Sequence, residues 1–180
     1  MNVLGLKVNG HDTGAAVFTG RSIVAIAEER LTRIKHSPNI FPTQSVAYCL
    51  AKAGITPAEV HLIVYDVAGA DELDVSEEDV PTSVVRSKLG PGFEKTECAR
   101  INHHDAHAAA AFFCSPFEES AVLIYDGRGS VFVTKEGAYE TETETLYEGK
   151  GIVLKQIAKT LHPRSATRED RKSTRLNSSH

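Results

Sequence analysis

Short apolar blocks rich in Val, Leu and Ile occupy residues 3–8, 15–19 and 22–27, punctuated by Gly10, Gly14 and Gly20. Such blocks between turn residues predict three strands joined as a β-meander. Residues 42–53 change period: Val46, Ala47, Leu50 and Ala53 recur at helical spacing and Gly54 follows. That stripe predicts a packed amphipathic helix, and residues 60–67 then read as a buried strand. From 68 to 97 the chain is polar, with Asp71, Glu72, Asp74, Glu77, Glu78 and Asp79 crowded together and Gly90-Pro91-Gly92 closing a short helix. The acids read as a solvated surface insertion.

Residues 98–101 predict a strand leading into a helix that starts at His103. Asn102 is a good N-cap, Asp105 falls where a carboxylate meets free N–H groups, and the run Ala108 to Ala111 favours helix. Phe112, Phe113 and Phe117 are its expected apolar anchor, and Ser115-Pro116 ends it. Residues 121–125 form a continuous apolar strand delivering Asp126. Residues 131–134 and 138–147 predict a second meander around Lys135-Glu136-Gly137, and 151–160 are expected to begin a helix.

A chain of 180 residues that is 41% hydrophobic can bury one core, as one domain or a piece of a larger one. The net charge of -4 gives no basic stripe, so neither nucleic acid nor an anionic membrane is expected as a partner. Cys49, Cys98 and Cys114 are odd in number and show no C-x-x-C pairing, which fits reduced packing thiols in a cytoplasmic protein. No signal peptide or membrane span is read in the chain.

The eleven residues 170–180 match the in-frame translation of a widely used short-read sequencing adapter. They are read as an artefact and set aside from the fold, so residues 1–165 are the meaningful domain and the natural protein is expected to continue past about Glu169.

Several positions carry candidate chemistry. His103 and His107 are four residues apart, so their imidazoles stand on one helix face, a spacing that suits a shared metal ion. His104 points elsewhere, and with no Glu in its place the hydrolytic zinc pattern is disfavoured. Histidines clustered at an exposed helix start, or satisfied in a core, remain the alternative. Asp126 ends a strand and precedes Gly127 and Gly129, an arrangement that holds a metal or phosphate ligand rigidly. The turn from Asn9 to Gly14 contains His11 and Asp12 and is either an ordinary Gly-rich hairpin or a loop whose N–H groups approach an anion. Asp12-Thr13-Gly14-Ala15 matches an aspartic-protease signature only weakly. The run Glu28 to Ser37, with Arg30, Arg33, Lys35 and His36, is a solvated face or, beside that turn, a seat for an anionic ligand.

Two meanders, each introduced by a Gly-containing loop with Asp, follow the order of the actin-like ATPase (ribonuclease H-like) α/β fold, here truncated to the first subdomain and the start of the second. Val8-Asn9-Gly10-His11-Asp12-Thr13-Gly14-Ala15-Ala16, Glu28-Glu29-Arg30-Leu31-Thr32-Arg33-Ile34-Lys35-His36, the segment from His103 to Phe112, and Tyr125-Asp126-Gly127-Arg128-Gly129 resemble the amino-terminal half of the O-carbamoyltransferases that decorate nodulation factors and antibiotics. The family's amino-terminal domain is related to the threonylcarbamoyl-transfer protein of tRNA modification.

The resemblance implies a second, carboxy-terminal domain that makes carbamoyl adenylate from carbamoyl phosphate and ATP, and transfer to a hydroxyl of a small-molecule or glycan acceptor. It implies a divalent metal, iron, on His103, His107 and Asp126, and His11 near the acceptor as general base. Asp12, Arg33, Lys35, Gly127 and Gly129 would then bind the nucleotide-bearing substrate, and a fragment without its second domain would be inactive. Asp105 departs from the family pattern, which more often has an apolar residue there. A sugar-kinase-like phosphotransferase and a non-catalytic nucleotide-binding module are the competing functions.

Overall fold

A computed structural model of the chain describes residues 1–8, 10–66, 82–127 and 129–163. The acidic cluster of 71–79, Arg128 and the adapter-like residues 170–180 lie outside the described residues.

The first sheet contains β1 (Val3–Lys7), β2 (Gly14–Phe18), β3 (Ile23–Ala27), β4 (Leu62–Asp66) and β5 (Glu97–Arg100) in the order β3-β2-β1-β4-β5. The expected meander pairs antiparallel, while β4 and β5 run parallel to β1. Alternation sends Leu4, Leu6, Ala15, Val17, Ile63 and Tyr65 into one core. Helix α2 (Thr43–Ala53) buries Val46, Cys49 and Leu50 against that face and ends at Gly54 in a left-handed conformation, φ 69°.

Nothing at Pro42 caps α2 with a side chain, so the helix is capped from elsewhere. Glu28, at the end of β3, accepts Gln44 N–H (3.1 Å), Ser45 N–H (2.7 Å) and the Ser45 hydroxyl (2.6 Å). A fully buried carboxylate at a helix N-terminus is favourable, and it corrects the reading of the whole Glu28 to Ser37 run as solvated. In the single turn α1 (Glu29–Thr32) and the loop beyond it, Arg30, Arg33, Ile34, Lys35 and His36 are exposed and follow that reading, whereas Ser37 is buried as Glu28 is. Helix α3 (Thr82–Leu89) adds Val85 to the same core and ends before Gly90.

The second sheet contains β6 (Glu119–Tyr125), β7 (Val131–Val133), β8 (Tyr139–Lys150) and β9 (Val153–Pro163). β9 lies along one edge of β8, so β6 and β7 share the other edge as one strand interrupted at 126–130. The unit repeats the β1-β2-β3 meander of the first sheet, and the helix expected over 151–160 is its third strand. Leu154, Ile157, Ala158 and Leu161 have helical spacing, yet Gly151, at φ 56°, turns the chain back so that β9 pairs with β8 from Lys150↔Val153 to Glu140↔Pro163. Strand pairing overrides local preference here.

Helix α4 (His103–Phe113) covers this sheet and makes a second core of Ala108, Phe112, Val122, Ile124 and Tyr147. The Phe112 ring lies over Gly149, where a Cβ would come within 2.6 Å of it. Phe113 and Phe117 are exposed, so the expected three-ring anchor reduces to one. Leu123 and Tyr125 are exposed too, so β6 buries one face only. All three cysteines are free; Cys49 is buried, whereas Cys114 is exposed and is no packing residue. No helix among the described residues is long and apolar enough to cross a membrane.

Candidate metal centre

Asn102 caps α4 as its sequence requires: the side-chain oxygen accepts Asp105 N–H at 3.2 Å. One turn apart on that helix, His103 Nε2 and His107 Nε2 approach to 3.1 Å, and Asp126 Oδ2, delivered by β6, lies 3.0 Å from His103 Nε2. Each of the three residues offers a ligand atom within 4.8 Å of the others. The structure thus brings together His103, His107 and Asp126 from two elements.

Behind His103 stands a residue that the sequence reading missed. Asp66, at the carboxyl end of β4, is 2.8 Å from His103 Nδ1; a carboxylate only accepts, so Nδ1 carries the proton. That tautomer leaves Nε2 facing His107 and Asp126. The available signal was the one used for Asp126, an acid ending an apolar strand.

Burial alone would lower the His103 pKa, but hydrogen bonds and charge from Asp66, then Asp126, outweigh it and raise the value. His107 moves the other way, lowered by burial and then by His103. His103 Nε2, between the Asp126 carboxylate and the His107 imidazole, faces the position from which one cation reaches all three donors. Two imidazole nitrogens and a carboxylate oxygen are the borderline donor set that first-row divalent metals prefer, with a carboxylate behind one histidine to orient it. The residues fit a metal ion.

The other candidate residues gather at the neighbouring strand end. β1 and β4 are parallel partners, with Val8 N–H bonded to Asp66 carbonyl at 2.9 Å, so the turn after β1 opens beside Asp66. There Asp12, at φ 57°, accepts His11 Nδ1–H (2.6 Å) on one oxygen and His36 Nδ1–H (2.8 Å) on the other. These bonds, with His36 first, hold the Asp12 carboxyl below its ordinary pKa. Fixing Nδ1–H leaves His11 Nε2 with a lone pair in the neutral ring. The loop carrying Arg33 and Lys35 is stitched to this turn by Asp12 N–H to His36 carbonyl (2.6 Å) and Asn39 N–H to Gly10 carbonyl (2.7 Å). Both cations are exposed on it. Glu29 Oε2 accepts His36 N–H, and Asp12, Glu29 and His36 form a second set of convergent donors.

Gly127 has open space around it, whereas Gly129 is tightly packed: a Cβ would lie 2.5 Å from Glu142 Cγ and 2.7 Å from His104 Nε2. His104 is buried under that loop, with its Nδ1 2.8 Å from the Thr145 hydroxyl. Asp105 has a structural task, since one of its oxygens accepts the buried Tyr147 hydroxyl at 2.6 Å and ties α4 to β8.

Comparisons with known proteins bear on the family and the fold. A family profile described as carbamoyltransferase N-terminus matches residues 2–87 and 91–153. An uncharacterized protein of Synechocystis is 32% identical over 85% of this chain and 28% of its own length. Nodulation protein NolNO of Sinorhizobium fredii is 35% identical over 66% of this chain and 20% of its own length. The chain therefore spans under a third of either relative. YeaZ from Pseudomonas aeruginosa superposes with a TM-score of 0.52 over 93% of this chain and 72% of its own, at 14% identity. That likeness shows the actin-like ATPase fold. By the profile match over most of its length, the chain belongs to the carbamoyltransferase family and corresponds to part of its amino-terminal domain.

Proposed function

We propose that the parent protein transfers a carbamoyl group from carbamoyl adenylate to a hydroxyl of a small-molecule or glycan acceptor, and that this chain supplies one wall of the transfer site. The observation that carries the reading is the convergence of His103, His107 and Asp126 beside Asp66. These three side chains would hold a divalent ion, iron by family resemblance, and Asp66 would keep His103 Nε2 presented to it. When bound, the ion supplies a positive charge for phosphate oxygens and for charge developing on the leaving group.

The chain's own residues do the rest. His11, with Nδ1–H held by Asp12, takes the acceptor's hydroxyl proton at Nε2. Arg33 and Lys35 project from the loop stitched to that turn, where cations meet the anionic substrate. Gly127, with open space around it, follows Asp126 directly and offers its N–H there, whereas the Gly129 N–H is taken by the Glu142 carbonyl. Carbamoyl adenylate would be made from carbamoyl phosphate and ATP by a further domain of the parent. The chain by itself is proposed to bind metal and not to transfer.

Anaerobic titration of iron(II) into the chain tests the site. One ion per chain is expected, with binding weakened in His103→Ala and His107→Ala alike. Metal binding unchanged in both variants, or carbamoyl transfer by the chain alone, would overturn the reading.

A further inference from the structure

Glu142 belongs to none of the ligand positions, yet its carboxylate is heavily engaged beside them. It sits within β8 at 0% exposure. Four donors close on it: Ser130 N–H at 2.8 Å, Asn102 Nδ2 at 3.1 and 3.2 Å to its two oxygens, His104 N–H at 3.4 Å, and Lys159 Nζ at 2.5 Å. Its backbone is bonded to the same loop, Gly129 N–H to Glu142 carbonyl at 2.9 Å and Glu142 N–H to Ser130 carbonyl at 3.1 Å. Gly129 leaves the carboxylate its room, since any Cβ there would overlap Glu142.

A buried ion pair is a poor source of stability, because desolvating two charges offsets most of their attraction. The placement of the partners gives Glu142 a different use. Asn102 and His104 flank His103 at the start of α4, and Ser130 closes the loop that begins at Asp126. Ser130 Oγ also accepts His103 N–H at 3.3 Å. One carboxylate therefore grips both segments that carry the metal donors, and Lys159 balances its charge from the far side, on β9.

We propose that Glu142 is a positioning residue of the metal centre, clamping the N-terminus of α4 to the 126–130 loop and so setting the spacing of His103 and Asp126. The inference rests on the metal reading above and adds a residue to it that touches no ion. Every group aimed at Glu142 is a donor, so Glu142→Gln keeps the volume but turns an amide NH₂ against one of them.

The test is a titration of cobalt(II), with visible absorption as the signature of coordination, into the chain and three variants. Glu142→Gln should weaken binding about 10- to 100-fold, the range for outer-shell partners, and change the absorption envelope. Asn102→Ser keeps a competent helix cap but loses the donor to Glu142, and should weaken binding in the same direction. Lys159→Met breaks the ion pair without touching either ligand-bearing segment and should cost less than about threefold, below the outer-shell range. Thermal melting without metal checks folding, and if Glu142→Gln does not fold, Asn102→Ser decides alone. Wild-type affinity in Glu142→Gln and Asn102→Ser, or an equal loss in Lys159→Met, would overturn the clamp while leaving the metal site standing. Absence of binding by the unaltered chain would overturn the metal reading, and the clamp with it.

Discussion

Replacing Asp66 by Asn should make metal affinity less dependent on pH as well as weaker. The bond from His103 Nδ1–H to Asp66 Oδ2 is 2.8 Å long, and Asp66 is buried, so the variant exchanges a charge-assisted hydrogen bond for a neutral one. Hydrogen bonds to charged groups contribute about 1.5–3 kcal/mol, and loss of such an outer-shell partner costs about 10- to 100-fold in metal affinity. That loss should appear near pH ~8, where proton competition is small.

At pH ~6 the two proteins should converge, for a reason whose sign follows from the raised His103 pKa. The protonated ring stabilises the metal-free fold below its unfolded pKa of ~6.5, and this stabilisation is lost as pH rises through the folded value. A metal ion competes with that proton, so wild-type affinity climbs over the same interval. Without the Asp66 charge the His103 pKa falls, the proton competes less, and the variant's curve moves to lower pH. Cobalt(II) affinities measured by calorimetry against a chelator across this range give the ratio directly. A ratio that stays constant, or widens toward low pH, would refute the assignment of Asp66 as the charge that holds His103.

Three further outcomes are expected. Gly149→Ala pushes a methyl into the Phe112 ring and should destabilise the second core by about 1–3 kcal/mol, read as a lower urea midpoint at unchanged slope. Glu28→Ala removes the acceptor of two helix N–H groups and a buried hydroxyl and should cost at least about 1–3 kcal/mol by the same measurement; a smaller loss would mean that water caps α2 instead. In the full-length parent, His11→Asn should slow transfer by about 10²- to 10⁴-fold and leave adenylate formation unchanged, whereas equal losses in both steps would remove His11 from the role of base.

What was legible in the sequence follows the range of each interaction. The first meander, α2 and α4 carry their own periodicity and caps, and Asn102, Gly54 and the four-residue histidine spacing act within a turn or two of themselves. His103, His107 and Asp126, which the fold brings together, were singled out because each had a local mark. Glu28 and Glu142 carry no mark that separates them from surface acids, and their partners are 16 to 17 and 12 to 40 residues away in sequence; Asp66 ends an apolar strand as Asp126 does, but its partner His103 is 37 residues away. β9 was misread for a related cause, because its apolar spacing suits a helix and only the long edge of β8 makes it a strand.

The two cores share no residue: one lies between the first sheet and α2 and α3, the other between α4 and the second sheet. Separate cores can open separately, so the halves need not have equal lifetimes against exchange of their amide protons. All three proposed metal ligands lie in the second half, and the Asp66 to His103 bond links it to β4 in the first. Saturating metal at a hundredfold excess over Kd contributes about 2.7 kcal/mol to whatever must unfold to release it. Protection should therefore rise across α4, β6 and β8, and reach β4 through that bond and through Ile101 N–H to the Tyr65 carbonyl (2.9 Å), which makes the amides of Tyr65 and Asp66 gauges of how firmly the two halves are joined.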